Sequence, residues 1–376
     1  MQAQSTNKRR RMLIMVSLVV TLLTAISLTA SLAGANKAPG AKHRATHASS
    51  GKHKRSVQWR RHRRPSAVPT STPATVAATP TPTTSAVTPA STPSATPAPA
   101  PAAAATTTTS VAGQTMGALN LSGVSNRVYE NVTFDGAGSG GPDSSGVVVV
   151  SGGSHDITFR NCVINPNRDG VGNGIKIIGG SVSNITFENC LIKTQPRMGF
   201  ECIGRSGSGY RNVDLVNCTF EPQGSEAVSY DDDTNQAGYC TVSGCLIKGG
   251  GATSQYSWGQ GLELNNVANM TVTGNTLWSC RSDGWNLQMG RSSACGWTFT
   301  DNVIDFTQGS VASKSDASPV CAQHVYGGTF ARNRIVNKVG WTSAYLNDCH
   351  NMDWRTTSWS GANASPYQTG CSGNQF

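Results

Sequence analysis

Between Arg168 and Asp283 the chain gathers residues able to move protons or hold cations. They are Lys176, Arg197, Glu201, Glu226, the run Asp231-Asp232-Asp233 and Glu263, with Arg168-Asp169 ahead of most of them and Asp283 behind. Two carboxyl groups at a suitable separation can cleave a glycosidic bond, one serving as acid and the other as base. Carboxylates can also supply oxygen ligands to Ca²⁺; Asp231, Asp233 and Glu263 form the candidate set, and Ca²⁺ is the one cofactor the sequence suggests. A lysine or arginine beside a sugar carboxylate can instead remove the neighbouring proton, which leads to β-elimination, or to epimerisation when the proton returns to the other face. A solvated sheet face would also show mixed Lys, Glu and Ser, so the elements that carry these residues matter.

Those elements come from a repeat. The unit Asn184-Ile-Thr-Phe-Glu-Asn-Cys-Leu-Ile-Lys193 recurs upstream as Asp156-Ile-Thr-Phe-Arg-Asn-Cys-Val-Ile-Asn165 and downstream as Asn212-Val-Asp-Leu-Val-Asn-Cys-Thr-Phe-Glu221. Its seventh position reads Val132, Cys162, Cys190, Cys218, Cys245, Asn275, Asn302 and Asn333, a step of 27 to 31 residues. Within each unit apolar residues alternate, the two-residue rhythm of a strand with one buried face. A further strand of the type Gly-apolar-x-apolar accompanies each unit, as in Gly174-Ile-Lys-Ile-Ile, Gly199-Phe-Glu-Cys-Ile and Gly261-Leu-Glu-Leu-Asn. Each repeat therefore supplies three short strands, and strands recurring at a fixed interval bury their inner faces by coiling so that repeats stack.

Over residues 118 to 355 this pattern resembles the right-handed parallel β-helix of the pectate-lyase-like superfamily. The expected fold is all-β, a right-handed parallel β-helix of about eight coils. The resemblance implies that Asn275, Asn302 and Asn333 form a ladder that satisfies buried backbone groups, which the four cysteines continue as small apolar residues. It also implies that substrate lies along the outer face of one sheet. Alternation turns outward a column reading Val148, Lys176, Glu201, Ser229, Glu263 and Asn286, and a second reading Val150, Ile178, Ile203, Asp231, Asn265 and Gln288.

Three mechanisms remain open on that face. Glu201 and Glu263 stand two coils apart, about 10 Å between backbones, so their carboxyls could reach the separation of an inverting glycosidase. Alternatively Asp231, Asp233 and Glu263 hold Ca²⁺ while Lys176 or Arg197 abstracts a proton, with epimerisation as the third route. Asn265, Asn286, Gln288 and Arg168 are candidate substrate contacts, and Tyr256 and Trp258, in the loop from Gly249 to Gly261, could stack on a sugar. Trp285 falls at an inward position and reads as core. No catalytic signature of the family carries over: Asp231-Asp232 lacks the rest of the polygalacturonase set, His324 has no flanking glycines, and the Asp-Pro-His-Glu motif of alginate epimerases is absent.

The N-terminal part is of a different kind. Residues 1–35 join Lys8-Arg-Arg-Arg11 to an apolar run ending in Ala33-Gly34-Ala35, the form of a signal peptide, and the run is also long enough for a membrane anchor. Residues 36–64 form a basic disordered tail, and residues 65–113 a Pro/Thr/Ala-rich linker of extended character. Residues 1–64 carry 14 of the 30 Lys and Arg and none of the 20 acidic residues, which leaves 16 basic against 20 acidic, a net −4, for the rest. The overall +10 therefore belongs to the tail. It says nothing of the repeat domain's ligand, and Trp59 alone offers a ring for stacking on a base, which argues against nucleic acid.

All 11 cysteines follow residue 161. In an exported chain, Cys280 with Cys295 and Cys321 with Cys349 would be loop staples; zinc spacing is absent. The expectation is a secreted or cell-surface monomer, residues 114–376 forming the repeat domain. Its partner is an extracellular polysaccharide, and it meets a membrane only through an uncleaved N-terminal segment. It either cleaves that polymer or, as a non-catalytic module, binds it.

Overall fold

The computed structural model describes residues 108–138, 145–204, 208–232, 237–252, 259–281, 285–288 (backbone only), 295–311, 318–338 and 342–376. The expected signal or anchor, the basic tail and nearly all of the linker lie outside them, as do Asp233, Tyr256 and Trp258 and the side chains of Trp285, Asn286 and Gln288. No described helix is long and apolar enough to cross a membrane.

Each repeat folds as three strands, and like strands of successive repeats pair in parallel. The described residues form three sheets of nine, ten and ten strands. The first runs from Thr109–Ala112 to Thr329–Ala331, the second from Thr115–Met116 to Ser358–Gly361, and the third from Leu119–Ser122 to Pro366–Thr369. The chain is thus an all-β parallel solenoid, and its first described strand lies upstream of the expected domain start at residue 114.

The register that makes the repeat also makes the core. Ile185 pairs with Ile157 and Val213, and Phe187 with Phe159 and Leu215, so like side chains fall on like. Phe159 and Phe187 stack at 4.5 Å between ring centroids, and Phe330 and Trp354 at 4.2 Å. Both pairs are buried, and offset aromatic contacts of this kind add to area burial.

The polar corner between the first two sheets has a backbone cause. Asn131, Asn161, Asn189 and Asn217 hold φ of 53 to 55°, Gly244 and Gly274 continue the column at 62 and 65°, and Asp301 and Arg332 close it at 61 and 56°. Only Gly enters this left-handed region freely, with Asn and Asp next. The following residue turns inward, where Asn275, Asn302 and Asn333 form the expected ladder. Asn275 Nδ2 donates to Asn302 Oδ1 at 2.9 Å, Asn302 Nδ2 donates to Asn333 Oδ1 at 3.0 Å, and each amide also reaches a backbone carbonyl. Upstream, Cys190 and Cys218 point their thiols at the Phe159 and Phe187 carbonyls.

The expected staples do not form. None of the eleven cysteines is in a disulfide, and ten of them are buried. Cys349 packs in the core with its Sγ on the Ala322 carbonyl, whereas Cys321 stands between core residues Val320 and Ala322 and so faces the other side of its strand. Cys295 likewise directs its Sγ to the Gly327 carbonyl.

Candidate active site

The third sheet carries the charged residues, and its register corrects two assignments. Lys176 pairs with Val149, whereas Val148 and Val150, expected to face outward, lie opposite Ile175 and Ile177 in the core. The outward column therefore reads Asn120, Val149, Lys176, Glu201, Ser229, Glu263, Cys321, Tyr345 and Tyr367, with the Asn286 backbone in register between Glu263 and Cys321. The second runs Ile178, Ile203, Asp231, Asn265, Gln323, Asn347 and Thr369, with the Gln288 backbone in register between Asn265 and Gln323. The backbone register also sets Trp285 in line with core residues Leu262 and Val320.

Outward does not mean wet. Lys176, Glu201 and Ser229 are buried, whereas Asp231, Glu263 and Asn265 keep part of their surface accessible. Lys176 Nζ donates to Glu201 Oε2, which also accepts from Asn173 Nδ2 at 2.6 Å. One rung on, Ser229 Oγ donates to Glu263 Oε2 at 3.1 Å and Asn265 Nδ2 to Glu263 Oε1 at 2.8 Å. Asn265 Oδ1 is buried without a hydrogen-bond partner.

The three aspartates expected as a run divide. Asp231 faces outward, Asp232 is fully buried and accepts a bond from the Ala237 N–H at 2.6 Å, and Asp233 lies outside the described residues. Among the described residues, no group of three or more His, Cys, Asp or Glu is placed to hold a metal ion.

The loops ahead of this sheet are fixed by a feature the sequence reading passed over. The Asn167 N–H donates to Gln195 Oε1 at 2.9 Å, and the Gln195 N–H to Gln223 Oε1 at 2.8 Å. These three buried amides recur every 28 residues, the same interval that revealed the strands, so their spacing was the signal. They set the turns from which Arg168, Arg197 and Ser225-Glu226 project. Arg168 is exposed and pairs with Asp135; Arg197 is half-buried and its charge reaches Glu226.

Glu226, noted in the sequence without a role, belongs to the site. It is buried, it accepts a bond from the Ser225 hydroxyl, and burial pushes its carboxyl up. Although part of Glu263 stays accessible, loss of solvation is the main cause that pushes its carboxyl up to about 8, and the charges of Glu226 and Asp231 add to it. At neutral pH Glu263 is thus mostly protonated, an acid with a proton to give.

Asp231 is registered with Asn265, two residues along from Glu263 on the neighbouring strand. A rung of ~4.8 Å and a two-residue offset of ~6.6 Å place the two backbones about 8 Å apart on one face. An accessible acid beside a second carboxyl is the minimum equipment for acid–base chemistry.

Residues 102–220 match the family model for a right-handed β-helix region. Over that stretch the described strands form the parallel β-solenoid that the family model describes. No curated protein sequence matches it. Among solved structures, the β-helix is similar to the A-module of the mannuronan C-5 epimerase AlgE4 of Azotobacter vinelandii. Identity is 11% and the TM-score 0.42, over 71% of this chain and 86% of that one. It is also similar to tailspike protein 2 of the Escherichia coli O157:H7 bacteriophage CAB120, at 11% identity and a TM-score of 0.31, over 68% of this chain and 37% of that one. Likenesses at these scores say nothing of the activity of this β-helix.

Proposed function

We propose that this β-helix acts on an extracellular polysaccharide, with Glu263 as general acid and Asp231 as the carboxylate that activates water. The observation that carries this reading is the Glu263 carboxyl itself, which accepts from Ser229 and Asn265 on a partly accessible face one rung from Asp231 and which loss of solvation raises to about 8. A separation of about 8 Å between the backbones suits carboxyls ~6.5–9.5 Å apart, the inverting arrangement. Asp231 serves as base better than Glu201, which is buried and already accepts from Lys176 and Asn173. For the same reason Lys176 supports the wall of the site rather than deprotonating a sugar, and Arg197 tempers Glu226.

The test is incubation of the full chain with neutral and acidic polysaccharides, with and without Ca²⁺, following reducing ends and the ultraviolet absorbance of unsaturated products. Reducing ends, lost about 10²–10⁴-fold in Glu263→Gln and Asp231→Asn, are expected for a hydrolase. Unsaturated products would replace hydrolysis with elimination. Glycan retention without turnover would make the protein a binding module, a reading favoured by the burial of Lys176 and Glu201.

A further inference from the structure

We propose that the outer face of the third sheet carries a second binding position, an aromatic platform of Tyr345 and Tyr367 that takes a neutral sugar ring of the chain whose reacting bond lies at Glu263. This rests on the polysaccharide reading above and names the class of polymer: an uncharged one.

The register ties the two places together. Glu263 is followed in its own column by Asn286, Cys321, Tyr345 and Tyr367. Three rungs separate Glu263 from Tyr345 and four from Tyr367, about 14 and 19 Å at ~4.8 Å per rung. Ala344 and Leu346 on either side of Tyr345 are fully buried in the core, so Tyr345 points away from it. The two rings lie nearly parallel, 12° apart with 6.0 Å between centroids, and Tyr367 is 46% exposed. Between the two ends Cys321 and Gln323 are only 5% and 7% exposed. Among the described residues, the accessible side chains of these columns beyond Asp231 are thus gathered at the carboxyl site and around the tyrosines.

The charge pattern selects the ligand. Beyond Glu263 neither outward column contains a lysine or arginine, and the second column continues as Gln288, Gln323, Asn347 and Thr369. Amides and hydroxyls both donate and accept, as sugar hydroxyls do, but give no counter-charge to a uronate. At the adjoining corner His324 and Asp348 pair with each other at 2.7 Å, and Asp348 also takes His350 and the Tyr326 hydroxyl. At the other end, Lys176 is held by Glu201, and the acidic groups Glu226, Asp231 and Glu263 offer no counter-charge to an anionic chain. The apolar face of a pyranose ring stacks on tyrosine with no charge on either partner.

The experiment is calorimetric titration of full-length Glu263→Gln, which blocks turnover, with β-linked glucan, mannan and xylan oligosaccharides of increasing length and with oligouronates. One neutral series should show a step in affinity at the length that bridges about 14–19 Å. Tyr345→Ala/Tyr367→Ala should remove that step, a loss of roughly tenfold, while leaving shorter oligosaccharides unaffected. Tyr367→Ala alone, on the exposed ring, should lower the step if the double variant fails to fold, and Tyr367→Phe should keep it. Tighter binding of oligouronates, or a step that survives in the tyrosine variants, would overturn the platform. So would a tyrosine variant that only dissociates a dimer, since the rings would then join copies of the chain. Turnover by the native chain without any step sinks the platform alone; neither binding nor turnover sinks the polysaccharide reading with it.

Discussion

Lys176 and Glu201 form an ion pair inside the wall of the solenoid, their side chains 1% and 7% exposed. Both belong to the column that alternation turns away from the core, so the pair is buried outside the hydrophobic interior. Removing two charges from water costs several kcal/mol each, and their attraction repays it only with good geometry and further hydrogen bonds. Asn173 supplies one such bond to Glu201.

Lys176→Met should therefore cost about 3–5 kcal/mol, because it leaves the Glu201 carboxylate buried and unpaired. Replacing both residues by Met should recover most of that loss, since no charge is then stranded. Denaturant midpoints of the two variants and the native chain measure the difference. A cost below about 1 kcal/mol for the single variant would mean that water reaches Glu201.

Asn302 and Cys190 occupy the same column with different duties. Asn302 satisfies the Val272 carbonyl, the Asn275 N–H and both neighbouring amides, whereas Cys190 fills space and touches a carbonyl weakly. Asn302→Ala should cost about 2–4 kcal/mol by stranding buried polar groups, and Cys190→Ala clearly less. Equal losses in chemical denaturation would reduce the ladder to packing.

Much of this was legible because a solenoid repeats its physics. The residue before the inward column must adopt a left-handed backbone, so Asn or Gly recurs there and exposes the period. Alternation then separated Phe187 from Glu188 and Leu264 from Glu263 without any structure. Alternation reports direction and not solvation, however, so it could place Lys176 and Glu201 outward but not show them buried. It also slipped by one residue at Val148, where four consecutive valines carry no alternating signal. The cysteine pairs failed because proximity in sequence says nothing of facing: Cys321 and Cys349 sit on opposite sides of the wall.

With no disulfide and ten of eleven thiols buried, the native chain should react with a thiol reagent at Cys371 alone, and at all eleven once denatured. Burial pushes the Cys240 and Cys349 thiols up to about 12, so thiolate is scarce there even at alkaline pH. Mass spectrometry after alkylation, with and without reductant, reads both counts. Masses that change with reductant would restore the staples.

Glu263 makes stability depend on pH in a direction set by its raised carboxyl. The folded chain holds this proton up to about 8, against 4.5 when unfolded. Its contribution is therefore fully present below about 4.5 and is lost as pH rises through about 8. Glu226, also raised by burial, acts in the same sense. Exposed Asp353, held down to about 2 by the Arg355 guanidinium, acts in the opposite sense but only in acid, well below this window. Melting temperature should thus decline between about pH 5 and 8, the decline should shrink in Glu263→Gln, and it should shrink further in Glu226→Gln/Glu263→Gln, with half-buried Asp214, also raised, contributing in the same sense. Activity should fall across the same upper limit, because only the protonated Glu263 can give its proton to a leaving oxygen. Asn265 Nδ2 donates to Glu263 and so favours the ionised carboxyl. Asn265→Leu should therefore raise the pH at which activity is lost, by removing a donor that stabilises the charged form. An unchanged slope of melting temperature in Glu263→Gln would show that Glu263 is ionised throughout, and the acid role would pass to another group.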